Sequence, residues 1–213
     1  MENHDSANDA PEVKATRFPR TDRRQARVRQ VLEQRQPDLT VVLEDVHDPH
    51  NVSAVLRSCD ATGVLDVHLI YVHETPPAKA FHRTTSASAA KWVRTYFHES
   101  VDACFEVLRN QGKAIWATFL GETSHDLYDL NLAAPSALVF GNEHRGVSKR
   151  VMELADGSVA IPMHGMVESL NISVACAVSL FEAMRQRRSK GLYDTPQLDA
   201  ATMVDLELAW LRK

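Results

Sequence analysis

Short apolar segments rich in β-branched residues alternate with helix-like segments along most of this 213-residue chain. The strand-like segments are LTVVLEDV (39–46), LDVHLIYV (65–72), WVRTYF (92–97), KAIWATF (113–119), SALVFG (136–141) and SVAIP (158–162). Runs this short and apolar are typical of buried strands, and parallel strands need a helical connection between them. The pattern therefore predicts an α/β fold, a mostly parallel sheet flanked by helices on both faces, in a single domain.

Polar residues and glycines indicate where the helices begin and end. Asn51 is placed to cap the helix after the first strand, and Gly63 to end it. Ser100 is placed to cap a later helix. We predict a long helix from Ser169, which would then be its N-terminal cap, and a final amphipathic helix at about 199–212.

The charge of the chain is unevenly distributed. The net charge is −4, yet residues 14–35 contain eight Lys and Arg residues against two acidic ones. This segment therefore carries +6 and the remaining residues carry −10. A basic segment on an acidic body favours a polyanionic partner, although a solvated basic helix explains the same pattern equally well.

Cysteine, histidine and hydropathy patterns exclude several classes of protein. The three cysteines form no CxxC pair, so we expect neither disulfides nor a zinc site, and a cytoplasmic location. His47 and His50 lie close together, but no third ligand follows at a standard spacing, so we expect no metal. No apolar run reaches the length of a membrane span, so we expect no membrane association.

Two loops after predicted strands carry candidate functional residues, because ligands of parallel sheets bind beyond the carboxyl ends of the strands. The loop HDPHN leads into a helix with Arg57, which would clamp a phosphate or carboxylate. Arg57 would otherwise extend to the helix edge or pair with Asp60. The loop GNEHRG allows close backbone approach to a ligand at Gly141 and presents Glu143, but also reads as a simple turn.

A third loop, PMHGMVESLN, is irregular and yet apolar. An exposed loop would avoid its methionines and leucine, so we expect it to cover a ligand that is part adenosine and part thioether. Ser169 and Asn171 place a hydroxyl and an amide at the start of the long helix, where free N–H groups favour an anion.

In this order, the segments NVSAVLR, GNEHRG and IPMHGMVESLNISVA resemble the three motifs of the SpoU branch of the SPOUT RNA methyltransferases. The resemblance covers roughly residues 17–213 and is greatest to the TrmH type, which methylates the ribose 2′-hydroxyl of guanosine 18 in the tRNA D-loop. It implies an S-adenosylmethionine-dependent enzyme that binds tRNA. It also implies a deep C-terminal trefoil knot and a homodimer that packs through the last long helix and the first-motif helix.

The resemblance also assigns roles to individual residues. It makes Arg57 the catalytic arginine, with Asn51, Glu143, Ser169 and Asn171 as its supporting set. The cofactor-contacting positions are Thr118, Gly141, Ile161, Met163 and Leu170. The positions that grip RNA are Arg24, Arg27, Arg35, Arg185 and Arg187.

Composition and the same resemblance together divide the chain into four parts. These are a disordered acidic tail (1–13), a basic RNA-binding helix (14–38), a knotted methyltransferase core (39–191) and a C-terminal helix (192–213). The segment RTTSASAA lacks a glycine that such proteins often have, and Arg145 and His164 also depart from the family pattern.

Two alternatives remain open. A ribosomal RNA ribose 2′-O-methyltransferase of the same family would often carry a separate N-terminal RNA-binding domain, whereas one helix precedes the first core strand here. A non-catalytic RNA-binding member would not need the complete set of motif residues.

Overall fold

The computed structural model describes residues 22–76 and 89–213 as six helices, seven strands and two short 3₁₀ turns. The helices are α1 (Asp22–Glu33), α2 (Pro49–Thr62), α3 (Val101–Asn110), α4 (Lys149–Leu154), α5 (Ile172–Ser189) and α6 (Ala200–Leu211). The strands are β1 (Gln36–Glu44), β2 (Val64–Ile70), β3 (Arg94–His98), β4 (Ala114–Thr118), β5 (His125–Asp126), β6 (Ser136–Phe140) and β7 (Gly157–Ala160). The turns are Ala89–Lys91 and Leu127–Asp129.

The seven strands form one sheet in the order β3-β2-β1-β6-β4-β7-β5. Every neighbouring pair is parallel. All strands therefore end at the same edge, and the loops that follow β1, β6 and β7 meet there. The predicted α/β class with a parallel sheet is confirmed, and the sheet is parallel throughout.

Two cores cover opposite faces of this sheet. In β1, Val41 and Leu43 point into a core shared with α2 and α5, whereas Val42 points into a core shared with α3 and α4. All three side chains are fully buried. Because neighbouring residues of a strand face opposite ways, an uninterrupted apolar strand requires helices on both sides. The predicted flanking helices are confirmed.

The cap of α2 differs from the prediction. Asp48, not Asn51, is the N-cap, and its side chain accepts a hydrogen bond from His50 N at 2.8 Å. Pro49 occupies the first helical turn, where its missing N–H and fixed φ are compatible with a helix start. The side chain of Asn51 is consequently available for contacts outside its own helix. Gly63 ends α2 at φ 85°, as predicted.

The long helix α5 also begins later than predicted. Its N-cap is Asn171, which accepts a hydrogen bond from Ser173 N at 2.9 Å, so the prediction that Ser169 is the cap is wrong. An amide oxygen caps as well as a hydroxyl, and the apolar Leu170 between the two candidates stays in the loop. Ser169 therefore belongs to the loop that follows β7.

The prediction that Arg35 binds RNA is wrong. Its side chain is fully buried and donates to Asp60 Oδ1 at 2.5 Å and to Val64 O at 3.1 Å. Its guanidinium also lies 5.0 Å from the centroid of the Trp210 ring. Arg35 thus joins the end of α1 to α2 and α6, and it presents no charge to a partner.

The same correction applies to Arg187. It is fully buried near the end of α5, where it donates to Asp38 Oδ1 at 2.5 Å and to Leu132 O at 2.9 Å. A further hydrogen bond of 3.1 Å reaches Ala134 O. Arg187 holds α5 against the segment before β6 and cannot contact RNA.

The predicted basic helix is shorter than its assigned range 14–38. The helix α1 ends at Glu33, and β1 already begins at Gln36. The acidic tail and the first basic residues of the segment, up to residue 21, lie outside the described residues.

The final helix α6 covers the apolar side of α1. Val28 and Leu32 of α1 are buried in a small core with Trp210, which confirms the predicted amphipathic C-terminal helix. Within residues 22–76 and 89–213, no helix has the length and hydropathy needed to cross a membrane.

Candidate active site

A cavity of ≈ 570 Å³ lies at the carboxyl edge of the sheet. The loops after β4, β6 and β7 line it, and its volume lies in the usual range for a small-molecule site. All five residues expected to contact the cofactor are among its lining residues: Thr118, Gly141, Ile161, Met163 and Leu170. The structure therefore brings together positions that lie as far as 52 residues apart in the chain.

Gly141 gives the cavity a wall made of backbone. The loop after β6 is closed by Asn142 N donating to Gly146 O at 2.9 Å and Gly146 N donating to Asn142 O at 2.8 Å. A Cβ on Gly141 would lie 2.1 Å from the carbonyl carbon of Gly146, so only glycine fits there. Such a loop lets a ligand approach the main chain closely.

Apolar and polar groups share the remaining wall. Leu127 and Phe140 are buried behind the cavity, and Ile161 and Met163 are partly buried in the loop after β7. The Thr118 hydroxyl already donates to Val139 O at 2.9 Å, which leaves its oxygen and the main chain to bind a ligand. A backbone-rich edge opposite an apolar wall suits a ligand with both an adenine ring and a thioether chain.

A chain of hydrogen bonds joins the three motif loops beside this cavity. Asn51 Nδ2 donates to Glu143 Oε1 at 2.9 Å, and Asn171 Nδ2 donates to Asn51 Oδ1 at 3.1 Å. Asn51 is buried, whereas Glu143 and Asn171 line the cavity. Residues from α2, from the loop after β6 and from the N-terminus of α5 therefore hold one another in place.

The Glu143 carboxylate also anchors the start of α2. It accepts hydrogen bonds from His47 N at 3.3 Å and Asp48 N at 3.2 Å. Burial by itself raises the pKa of Glu143, but the hydrogen bonds from Asn51 and from backbone N–H groups outweigh it and lower the pKa below its ordinary value. Glu143 is therefore an ionised acceptor at neutral pH and not a proton donor.

The sequence analysis did not identify Asp45 as a site residue, and it gave no role to Asn142 of the loop GNEHRG. Asp45 adopts a left-handed backbone with φ 51°, and its carboxylate accepts hydrogen bonds from Val72 N at 2.9 Å and Glu74 N at 3.2 Å. Asn142 Nδ2 donates to Asp45 O at 2.8 Å. These contacts fix the loop after β1 to the loops after β2 and β6. The Asp at the end of an apolar strand was the one available signal.

Arg57 and Ser169 are both exposed and take no part in this network. Arg57 is exposed on α2, and within the described part of the chain it forms no hydrogen bond or ion pair. Pairing with Asp60 does not occur, because Asp60 accepts from Arg35. Ser169 lines the cavity, whereas Arg57 does not line the cavity of its own chain.

Three of the five arginines expected to bind RNA remain candidates. Arg27 is exposed on α1, where it donates to Gln30 Oε1 at 3.0 Å. Arg24 is half-buried, and its Nε has no hydrogen-bond partner among the described residues. The side chain of Arg185 is 67% exposed on α5 and pairs with Glu182 at 2.7 Å.

Comparison with known proteins places this architecture in a family. Residues 38–181 match the SpoU rRNA Methylase family. A tRNA (guanosine(18)-2′-O)-methyltransferase of Thermus thermophilus is 47% identical over 194 residues, which cover 91% of this chain and 98% of the relative.

Solved structures agree with this assignment. The crystal structure of the A. aeolicus TrmH/SpoU tRNA modifying enzyme has a TM-score of 0.83 and 37% identity, covering 90% of this chain and 96% of that one. The SpoU methyltransferase AviRb from Streptomyces viridochromogenes, in complex with AdoMet, has a TM-score of 0.63 and 25% identity, covering 74% and 62%. With the family match extending over more than half of its length, the chain belongs to the SpoU rRNA methylase family.

Proposed function

We propose that this protein is a tRNA (guanosine-18) 2′-O-methyltransferase that uses S-adenosylmethionine as methyl donor. The observation that carries the proposal is the hydrogen-bonded chain from Glu143 through Asn51 to Asn171, at the edge of the backbone-walled cavity. All three motif loops meet there, as methyl transfer between a bound cofactor and an RNA ribose requires. The identity to a curated tRNA methyltransferase over almost its full length supports tRNA as the substrate.

The cofactor residues would act chiefly by positioning. S-adenosylmethionine supplies an electrophilic methyl group on a sulfonium centre. Gly141 and the loop after β7 would hold the cofactor, and transfer would require the ribose 2′-oxygen to approach the methyl group in line at about 3 Å. Much of the rate then comes from orientation and not from acid–base chemistry.

Arg57 would stabilise the developing charge on the RNA. A guanidinium stays protonated at any physiological pH, so it is a poor general base. Its planar fork would instead clamp the phosphate beside the target ribose and lower the pKa of the 2′-hydroxyl electrostatically. The hydroxyl proton would leave late, to that phosphate or to water.

Asn51, Glu143 and Asn171 would act as positioning residues. Glu143 binds the backbone at the start of α2, and α2 carries Arg57 two helical turns further on. Asn51 connects this anchor to the N-terminus of α5. The network would thus fix the start of α2, and with it the position of Arg57, while Ser169 contacts the ligand from the loop.

The active form would be a homodimer that completes this site. Arg57 does not line the cavity of its own chain, so the guanidinium and the methyl donor would come from different subunits. The helices α2 and α5 pack side by side, and α5 exposes Val174 and Phe181 at 46% and 47%. Large exposed apolar side chains next to a functional helix favour an interface.

We also expect the predicted trefoil knot and the binding of RNA by exposed arginines. The insertion of β7 between β4 and β5, together with the hydrogen bonds from Arg187 to Leu132 and Ala134, supports a C-terminal segment passing through the loop before β6. Arg24, Arg27 and Arg185 remain the candidates for phosphate contacts. Substrate tRNA and three unpaired cysteines favour the cytoplasm.

The deciding experiment is methyl transfer to defined RNAs. The protein is incubated with radiolabelled S-adenosylmethionine and either unmodified tRNA transcripts or ribosomal RNA, and the 2′-O-methyl position is mapped. We expect one methyl group at guanosine 18 of tRNA. A transcript with adenosine at that position, which retains the same ribose, controls for base identity.

Two results would contradict the proposal. Incorporation into ribosomal RNA alone would identify the alternative ribosomal enzyme. Binding of S-adenosylmethionine and tRNA without any incorporation would identify a non-catalytic RNA-binding member.

A further inference from the structure

A second cluster of reactive side chains lies away from the methyltransferase cavity. His68 on β2, His98 at the end of β3 and Cys104 on α3 meet on the face of the sheet covered by α3. None of the three lines the cavity or belongs to the loops around it. The proposed function therefore gives them no role.

The geometry of the cluster is compact. His68 Nδ1 lies 2.8 Å from His98 Nε2, and the two rings are nearly parallel, with an interplanar angle of 10°. One ligand atom from each of His68, His98 and Cys104 lies within 4.8 Å of those of the other two. The three residues that supply these donors lie within 36 positions of one another in the chain.

In the described part of the chain, the His68 ring has a buried nitrogen without a partner, and it is not the Nδ1 that faces His98. His68 is only 2% exposed, and within the described residues its Nε2 has no hydrogen-bond partner. A buried polar atom without a partner costs free energy, so native structures usually provide one. Cys104 is fully buried as well, whereas His98 is partly exposed at the edge strand and opens the cluster to solvent.

We propose that His68, His98 and Cys104 bind one divalent transition-metal ion, with Zn²⁺ the best match. Two imidazoles and a thiolate are typical zinc ligands, and a water from the His98 side would occupy the fourth position. Ideal Zn–N and Zn–S bonds of 2.0–2.3 Å separate tetrahedral ligand atoms by roughly 3.5 Å. The 2.8 Å between His68 Nδ1 and His98 Nε2 is shorter than this, and all three ligand atoms lie within 4.8 Å of one another, so side-chain rotations that separate the two imidazoles would complete the site.

Charged groups of both signs lie around the cluster, and the cationic one has the larger effect on the pKa of His68. Lys113 lies near His68 and opposes an added positive charge there, whereas Asp66 also lies near His68 and favours such a charge. On binding, the Cys104 thiol would release its proton to solvent and coordinate as thiolate, while both imidazoles would stay neutral. Positions 68, 98 and 104 include no short ligand spacing, which is why the sequence indicated no metal.

The test measures metal on the intact chain. Chelator-stripped protein is dialysed against Zn²⁺ or Co²⁺, and bound metal is counted by mass spectrometry. We expect one equivalent per chain and, with Co²⁺, a thiolate-to-metal charge-transfer band in the near ultraviolet. We also expect Zn²⁺ to raise the melting temperature, because it binds only the folded state.

Variants separate this site from adventitious binding. Replacing the partly exposed ligand by His98→Asn should weaken Zn²⁺ binding roughly 100-fold or more. Cys104→Ala should abolish the charge-transfer band. His50→Ala removes an exposed histidine on α2 and should leave the metal content unchanged.

The proposal fails if the wild-type chain retains no metal after dialysis. It also fails if binding persists unchanged in His98→Asn, or if Co²⁺ binds without the thiolate band. The wild-type cobalt spectrum decides the question even where a variant does not fold. If the metal proposal fails, His68 and His98 form a neutral hydrogen-bonded pair. The methyl-transfer experiment does not depend on the outcome of the metal test.

Discussion

Arg57 is the residue on which the proposed chemistry depends most directly. Its guanidinium is exposed and forms no hydrogen bond or ion pair among the residues described. Arg57→Lys keeps the charge but loses the planar fork that binds a phosphate through two donors. We expect turnover to fall roughly 100-fold, by analogy with the loss of one transition-state donor.

The matched measurement for Arg57→Lys is thermal unfolding. Because no internal contact is removed, the melting temperature should stay unchanged. Near wild-type turnover in this variant would rule out the clamp and leave a simple positive charge as the requirement.

Gly141 occupies a position in the cavity wall that has no room for a side chain. In Gly141→Ala the new Cβ would meet backbone atoms of Gly146 and Val147 at 2.1 and 2.2 Å, and backbone cannot move aside cheaply. We expect S-adenosylmethionine binding to be lost in calorimetry and the free energy of unfolding to fall by about 2 kcal/mol.

Gly165→Ala provides the control for this change. A Cβ at Gly165 meets no atom within 4 Å, so both cofactor affinity and stability should remain near wild type. Equal effects of the two substitutions would show that loop flexibility, and not the close approach at Gly141, controls binding.

At the scale of elements, α1 has a buried apolar side and an exposed basic side. Val28 and Leu32 bury one side of the helix, and Arg27 lies on the exposed side. Arg27→Gln should weaken tRNA binding and reduce the slope of log affinity against log salt by about one, without changing stability. The measurement is a filter-binding titration at several salt concentrations.

Arg35, just beyond α1, should behave in the opposite way. Arg35→Gln leaves Asp60 without its buried partner, and losing one member of such a pair costs about 3 kcal/mol of stability or more. The slope of log tRNA affinity against log salt should stay unchanged for Arg35→Gln when the affinity is corrected for the fraction of protein that is folded. A flat salt dependence of the wild-type protein would remove α1 from the RNA-binding surface.

At the scale of the whole molecule, the prediction concerns assembly. We expect sedimentation to give twice the 23.8 kDa mass of one chain. A charge buried in an apolar interface is costly, so Phe181→Glu on α5 should give a monomer without methyl-transfer activity. Val107→Glu, at a comparably exposed apolar position on α3, should leave the dimer intact.

A mixing experiment adds a readout that altered folding would not reproduce. An inactive Arg57 variant and an inactive Gly141 variant should recover activity when their subunits exchange, because a mixed dimer contains one complete site. Full activity of the Phe181→Glu monomer would contradict the shared site.

The sequence by itself determined the parallel α/β class, the amphipathic C-terminal helix and two of the three cavity-lining loops, those after β6 and β7. Strand alternation and motif order depend on residues that are near one another in the chain, so both can be recognised without knowledge of the fold. The motif residues Asn51, Glu143 and Asn171 were found in this way, and the structure joins them by hydrogen bonds.

Only the tertiary structure decided which charged and polar groups are used internally. Arg27 and Arg35 both belong to the basic segment 14–35, but Arg35 pairs with Asp60 of α2 and is buried. Arg187 likewise meets Asp38, 149 residues away, whereas Arg185 pairs with its helical neighbour Glu182 and stays exposed. The cost of burying a charge is offset only by partners that the fold supplies, and composition and spacing contain no information about those partners.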